Sequence, residues 1–205
     1  MNFTYFYPFV IIFLMTNTLI QANNSQLVDI KSIIPDIVLD IRYATTNNFT
    51  KQKVYSRPCC YLQKTTAEKL CKVHKELAEL GFGLKIFDGY RPLSVQKIFW
   101  DVVPDSRYVM PPHKGSKHNR GSAVDLTLVT KDGKEVPMPT EFDDFSTKAH
   151  RDYKDLPAHI IANRNLLERV MHKHGFKGLR TEWWHFDDVD WQKYPLLDIS
   201  FEKLT

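Results

Sequence analysis

Ser116-Lys-His-Asn-Arg-Gly-Ser-Ala-Val-Asp125 is the stretch on which the reading of this chain turns. It holds one imidazole, His118, and one carboxylate, Asp125, with Gly121 and the small residues Ser122 and Ala123 between them. A glycine there lets the chain turn sharply and pass close to another backbone. From Ser122 the pattern becomes strand-like, with Val124, Leu126 and Leu128 on one face and Ala123, Asp125 and Thr127 on the other. Asp125 is then a carboxylate on a short, otherwise apolar strand. Such a charge is costly unless a cation, a metal or an arginine meets it.

Thr181-Glu-Trp-Trp-His185, far downstream, offers a second imidazole and a second carboxylate. Two imidazoles and a carboxylate form a three-ligand set for catalytic zinc, with the fourth position left for water. A further carboxylate outside the ligand set is the usual general base. Taken singly, each residue has a plainer use: His118 capping a loop, Asp125 pairing with Arg120, Glu182 in solvent. The two segments together favour the metal. A heme or iron enzyme built on two histidines and a carboxylate is open on ligand types alone.

Ser-x-His-x-x-Gly-x-Ala-x-Asp followed by Glu-x-x-His resembles the zinc peptidase family of the vancomycin-resistance D-alanyl-D-alanine dipeptidases. Their relatives are the D,D-carboxypeptidases and the Hedgehog amino-terminal domain. Asp88-Gly-Tyr-Arg-Pro92 and Asp40-Ile-Arg-Tyr-Ala-Thr45 are similar to the dipeptidase branch in particular. The resemblance spans about residues 27 to 190. It implies one zinc per chain held by His118, Asp125 and His185, Glu182 as general base, and Arg91 stabilising the oxyanion. Substrate binding would fall to Ser116 and to Asp143, which fits the family better than its neighbour Asp144. The implied reaction is hydrolysis of D-Ala-D-Ala. The alternatives are a D,D-carboxypeptidase or endopeptidase acting on cell-wall peptides, or a non-catalytic, Hedgehog-like zinc domain. Glu182 beside a complete ligand set speaks against the last.

At 205 residues, 43% hydrophobic and 25% charged, the chain has the size and composition of one ordinary globular domain. A net charge of +4, with lysines and arginines scattered among 24 acidic residues, argues against a nucleic-acid partner. Residues 1–28 carry no charged side chain, and Tyr5 to Met15 is almost wholly apolar apart from Pro8. That run is short for a bilayer span. It reads as a signal peptide, residues 1–22 with cleavage after Ala22, although no lysine or arginine opens it. An uncleaved anchor is the rival, and would be the chain's only link to a membrane. Residues 23–205 would then form an exported domain, periplasmic or secreted.

The elements read as helices mixed with short strands: an α+β domain with a small antiparallel sheet and flanking helices. A helix is expected over Thr66–Leu80, capped by Thr65 or Thr66, buried through Leu70, Val73, Leu77 and Leu80, and ended by Gly81. Leu84–Phe87 is a strand delivering Asp88 to Arg91. Ser94 is expected to cap a second helix with Val95, Ile98, Phe99 and Val102 as its apolar positions. Lys131-Asp-Gly-Lys134 signals a hairpin whose return strand is Glu135–Met138. Pro157 opens a long helix to His174, with Ile160, Ile161, Leu167, Val170 and Met171 inward and His172 and His174 solvated. Glu182 and His185, three apart, would face opposite sides of a regular strand, so Glu182 must lie in a loop or bulge. Cys71 has Cys59 or Cys60 as a disulfide partner, or all three are core thiols. Asn48-Phe-Thr50 is a glycosylation sequon if a eukaryotic secretory pathway makes the protein.

Overall fold

The strand read from the central motif is the middle of the sheet. In a computed structural model, which describes residues 26–204, five strands run in the order β2-β4-β5-β7-β6. They are β2 (Val38–Leu39), β4 (Phe82–Asp88), β5 (Ala123–Thr130), β6 (Phe176–Leu179) and β7 (Glu182–Asp188). β5 is buried from Ala123 through Val129 on both of its faces. Asp125 is therefore a buried carboxylate in the middle of an otherwise apolar strand. β4, β5, β7 and β6 pair antiparallel in turn, whereas β2 joins β4 in parallel, so the sheet is mixed at one edge. β1 (Leu27–Asp29) and β3 (Tyr61–Gln63) form a separate two-stranded ribbon, and one helical turn, α1 (Ile30–Ile33), follows β1. The leader expected over residues 1–22 lies outside the described residues. Among the described residues no helix is long and apolar enough to cross a membrane.

The helices are α2 (Lys64–Glu79), α3 (Leu93–Val102) and α4 (Ala158–Lys173). α2 buries Ala67, Leu70, Val73 and Leu77, but Leu80 lies past its end and is 49% exposed. Neither threonine caps it: its cap residue is Gln63, and the Thr66 hydroxyl instead donates to the buried Asp188 carboxylate at 2.7 Å. α3 buries Val95, Gln96 and Phe99 while Ile98 and Val102 face outward. Its opening turn is satisfied from a distance, the Ser94 N–H donating to Asp198 at 2.8 Å. α4 turns Leu167, Val170, Met171 and the guanidinium of Arg164 inward, with Ile160 and Ile161 only half buried. His174 is not a solvated residue: its Nε2 lies 2.7 Å from Glu76 and ties α4 to α2.

The expected return strand Glu135–Met138 does not form. Val129 makes a single bridge to Glu135, and the Val136 N–H reaches Leu128 O at 3.1 Å. Pro137 and Pro139 follow, and without N–H groups they cannot extend a ladder. All three cysteines are free thiols, Cys60 fully buried, and burial pushes its thiol up. Asn48 is buried too, its amide donating to the carbonyls of Arg42, Thr45 and Gln52, so in the folded protein it cannot accept a glycan.

Candidate active site

His118 sits in a single 3-10 turn, His118–Arg120, that leads into β5. Gly121 closes the turn with φ +67°, and a Cβ there would lie 2.5 Å from the Leu27 side chain. Glycine takes that left-handed backbone without strain, and any side chain would also press on Leu27 and come within 3.3 Å of the Gln63 backbone nitrogen. The chain then enters β5, where Asp125 pairs with Asp88 of β4 on one side and His185 of β7 on the other. Three elements distant in sequence thus meet at one register.

Their reactive atoms converge. His185 Nδ1 lies 3.0 Å from Asp125 Oδ1 and 3.2 Å from His118 Nε2, and His118 Nε2 lies 3.4 Å from Asp125 Oδ1. All three side chains are buried, and they form a possible three-ligand metal set. The outer nitrogens fix the tautomers. His118 Nδ1 faces the Gly89 carbonyl at 2.7 Å, so it carries the hydrogen. His185 Nε2 faces Asp187 Oδ1 at 2.8 Å, the arrangement that makes a ligand imidazole more basic and fixes its ring. Each ring then presents a lone pair inward, beside a carboxylate. Lone pairs and an anion at about 3 Å repel unless a cation sits among them, so the donor set fits a metal of the zinc type. The same demand for positive charge appears in the proton equilibria. Burial works to lower His185, but Asp187 and Asp125 overcome it and push the imidazole up to about 10. Asp125 is held far below the usual carboxylate range, the His118 and His185 charges outweighing its burial.

Glu182 opens β7, and the pairing with β6 slips immediately after it: Leu179 opposes Glu182, yet Gly178 opposes Phe186. Trp183, Trp184 and His185 are accommodated in that irregularity. The bulge puts Glu182 and His185 on one side, with Glu182 Oε2 3.9 Å from His185 Nδ1. Burial pushes the Glu182 carboxyl up to about 7. Trp184 forms part of the pocket wall, and Trp183 turns away to donate its indole N–H to Thr140 at 3.0 Å.

Arg91 is buried and not a surface ion pair. Its Nε and Nη2 donate to Asp88 Oδ2 at 3.1 and 2.7 Å, Nη1 donates to Gln96 at 2.9 Å, and its plane lies 4.5 Å from the Phe99 ring centre. Three of its five N–H groups are engaged, and the group still lines the pocket. Asp143 reaches the same pocket with φ +64°, a backbone costing an aspartate about 1–3 kcal/mol. The Tyr43 hydroxyl, 3.1 Å from both carboxylate oxygens, holds it there. Burial and the nearby Asp125 charge push the Asp143 carboxyl well above its ordinary range. Ser116 is at the rim, its hydroxyl accepting from the His118 N–H at 3.2 Å. Arg120 does not meet Asp125; its guanidinium lies 5.4 Å from the Trp191 ring centre. The pocket has a volume of about 130 Å³, well below the roughly 300–1,000 Å³ of drug-sized ligand sites, and suits a short ligand.

A family model described as D-Ala-D-Ala dipeptidase matches residues 23–202. The chain belongs to that family. Like its other members it is a metallopeptidase. The D-alanyl-D-alanine dipeptidase of Escherichia coli K12 is 35% identical over 181 residues, covering 88% of this chain and 94% of that protein. The enzymes of the same name from Enterococcus faecalis V583 and Enterococcus faecium are 33% and 32% identical. They cover 76% and 80% of this chain, and 87% and 91% of their own lengths. In this dipeptidase-family chain, the motif residues His118, Asp125, Glu182, His185, Arg91, Asp143 and Ser116 all border one pocket. Asp187 and Tyr43 are among the partners that the sequence reading does not single out. Asp187 was within reach of pattern reasoning, since two residues along a strand return to the same face. Tyr43 lies in the quoted Asp40–Thr45 segment, but nothing local says that its hydroxyl meets Asp143, 100 positions away.

Proposed function

We propose that the chain is a zinc-dependent dipeptidase whose substrate is D-alanyl-D-alanine. The observation that carries this reading is the convergence of His118 Nε2, His185 Nδ1 and Asp125 Oδ1 beside Glu182 in a small pocket. His118, Asp125 and His185 would hold one zinc ion. Zinc bound there supplies Lewis acidity and acidifies water toward a pKa of about 7. Glu182, close to the ligands without completing their set, takes a proton from the attacking water and returns it to the leaving amine. Asp143 receives the substrate ammonium, which matches a carboxylate that needs a cation to ionise. Arg91 directs its remaining N–H groups toward the carbonyl oxygen as charge develops on it. Ser116 borders the substrate and steadies the His118 turn.

The test is metal content. Purified protein is expected to contain about one zinc per chain, and His118→Ala and His185→Ala are each expected to lose it. Full zinc in both variants by elemental analysis would remove the site from consideration. Arg91→Lys keeps the charge but not the fork that binds Asp88 and Gln96 together. It is expected to lower kcat by roughly 10- to 1,000-fold, with a smaller change in KM, the span seen when an oxyanion donor is lost. An unchanged kcat would leave Arg91 as a structural ion pair only.

Export is proposed on the uncharged residues 1–28 and the almost wholly apolar run from Tyr5 to Met15 within them. Amino-terminal sequencing of the mature protein is expected to begin at Asn23. A chain recovered intact from the cytoplasm would contradict it.

A further inference from the structure

The bulge after Glu182 brings the proposed base and a proposed metal ligand to the same side of the sheet, and an irregular ladder needs something to hold it. The residue that crosses behind it is Arg151, which lies in the loop before α4 and has no place in the motifs. Its Nε donates to the Leu179 carbonyl at 2.9 Å and its Nη2 donates to the His185 carbonyl at 2.7 Å. One planar group therefore spans the two strands on either side of the slipped register. Its backbone N–H adds a third tie, to the Arg180 carbonyl in the connecting turn at 2.9 Å.

The surroundings of this guanidinium leave room for it, although its buried Nη1 has no hydrogen-bond partner among the described residues. The side chain is only 7% exposed, lies 4.2 Å from the Phe186 ring centre, and approaches Glu168 of α4 at 3.7 Å. On β6 the residue beneath it is Gly178, where a Cβ would come within 2.4 Å of Arg151 Cζ and Nε. The strand is bare where the guanidinium crosses. The loop that carries Arg151 is held in turn by the buried Arg164 of α4, whose Nη1 donates to the carbonyls of His150 and Tyr153 at 3.3 and 2.9 Å. The order of support runs from α4 through Arg164 and the 150–153 loop to Arg151, and from Arg151 to the His185 backbone.

We propose that Arg151 is a positioning residue that sets the β6–β7 bulge and so fixes His185, and its distance from Glu182, within the metal site. The proposal rests on the reading of His185 as a ligand and Glu182 as the base. A lysine has one ammonium and cannot reach both carbonyls as a planar fork does. Arg151→Lys thus tests the geometry while keeping the charge. Gly178→Ala tests it from the other side, because the three atoms nearest the added methyl group all belong to the Arg151 guanidinium, which it displaces.

Both variants are made in the full chain and compared with the parent in three measurements: zinc affinity by competition with a chromophoric chelator, the visible absorption spectrum of the cobalt-substituted protein, and the split between kcat and KM. Replacing a group that orients a ligand costs about 10- to 100-fold in metal affinity or activity. Each variant is expected to show a shifted cobalt spectrum and a loss of that size in zinc affinity or in kcat, with KM nearly unchanged. Unfolding temperature is followed alongside. Lower stability with the parent's cobalt spectrum and zinc affinity would overturn the proposal and leave Arg151 a merely structural residue. So would two variants that match the parent throughout. The metal measurements do not depend on Glu182: if Glu182→Gln retains full turnover, the base assignment fails while the cobalt spectrum still decides the role of Arg151. If the parent protein binds neither zinc nor cobalt, the metal site itself fails, and the proposal with it.

Discussion

Glu182→Gln is expected to bind about one zinc per chain, fold as the parent does, and turn over at least about 100-fold more slowly. The factor is the low end of what a positioned acid–base group contributes. The reasoning is geometric. Glu182 Oε2 stands 3.9 Å from His185 Nδ1, near the ligand atoms but farther out than the 3.0–3.4 Å that separates them from one another. Glutamine keeps the shape and the hydrogen-bonding reach and loses the ability to take a proton. Metal content and kcat measured on the same preparation separate the two roles. Zinc lost together with activity would make Glu182 a ligand, and Asp125 or a histidine would then need another task.

The second large effect concerns the substrate's amino group. A dipeptidase acts one residue from a free ammonium, so it needs a carboxylate that neither the metal nor the water has claimed. Asp143 is the carboxylate proposed for that role. Its strained backbone and the Tyr43 hydroxyl hold it in the pocket, and burial together with the Asp125 charge makes its ionised form costly without a cation. Acetylating the substrate nitrogen removes the cation and leaves Asp143 unpaired. Truncating one partner of a buried charge pair costs about 2–5 kcal/mol, which is roughly 30- to 5,000-fold in kcat/KM. N-acetyl-D-Ala-D-Ala and a wall pentapeptide are therefore expected to be poor substrates beside free D-Ala-D-Ala, and Asp143→Asn is expected to narrow the gap. Equal rates on blocked and free peptides would favour a carboxypeptidase instead.

How much of this was legible in the sequence depended on where the information lay. That His118, Asp125, Glu182 and His185 come together could be expected, because side-chain chemistry and spacing single them out within two short segments. The bulge at Glu182 could be read as well, because three residues along a regular strand would have faced the wrong way. Helix ends were less legible. Leu80, Ile98 and Val102 fit an apolar periodicity, but burial is decided by what packs opposite, and among the described residues these three stay 39–49% exposed. The return strand after Gly133 was lost to Pro137 and Pro139, whose missing N–H groups outweighed the turn signal. Arg151 was beyond reach for a different reason. Its side-chain partners are the carbonyls of Leu179 and His185, 28 and 34 positions away, and a carbonyl looks the same on every residue.

The register at Asp125 has a consequence for how the protein acquires its metal. His118 and Asp125 lie close together in the chain, but His185 reaches them only when β7 docks on β5, joining residues 60 positions apart. Closing long loops of this kind is slow compared with forming a helix or a hairpin, because chain entropy is lost before contacts compensate it. A tight metal site is thus absent from the nascent and the unfolded chain and arises at one of the later steps of assembly. An ion that binds only the finished fold pulls that step forward by mass action, adding stability that grows with the logarithm of its free concentration. A chain that crosses a membrane unfolded would travel without metal and load it on arrival, so the zinc supply of the destination compartment would govern how much enzyme matures there.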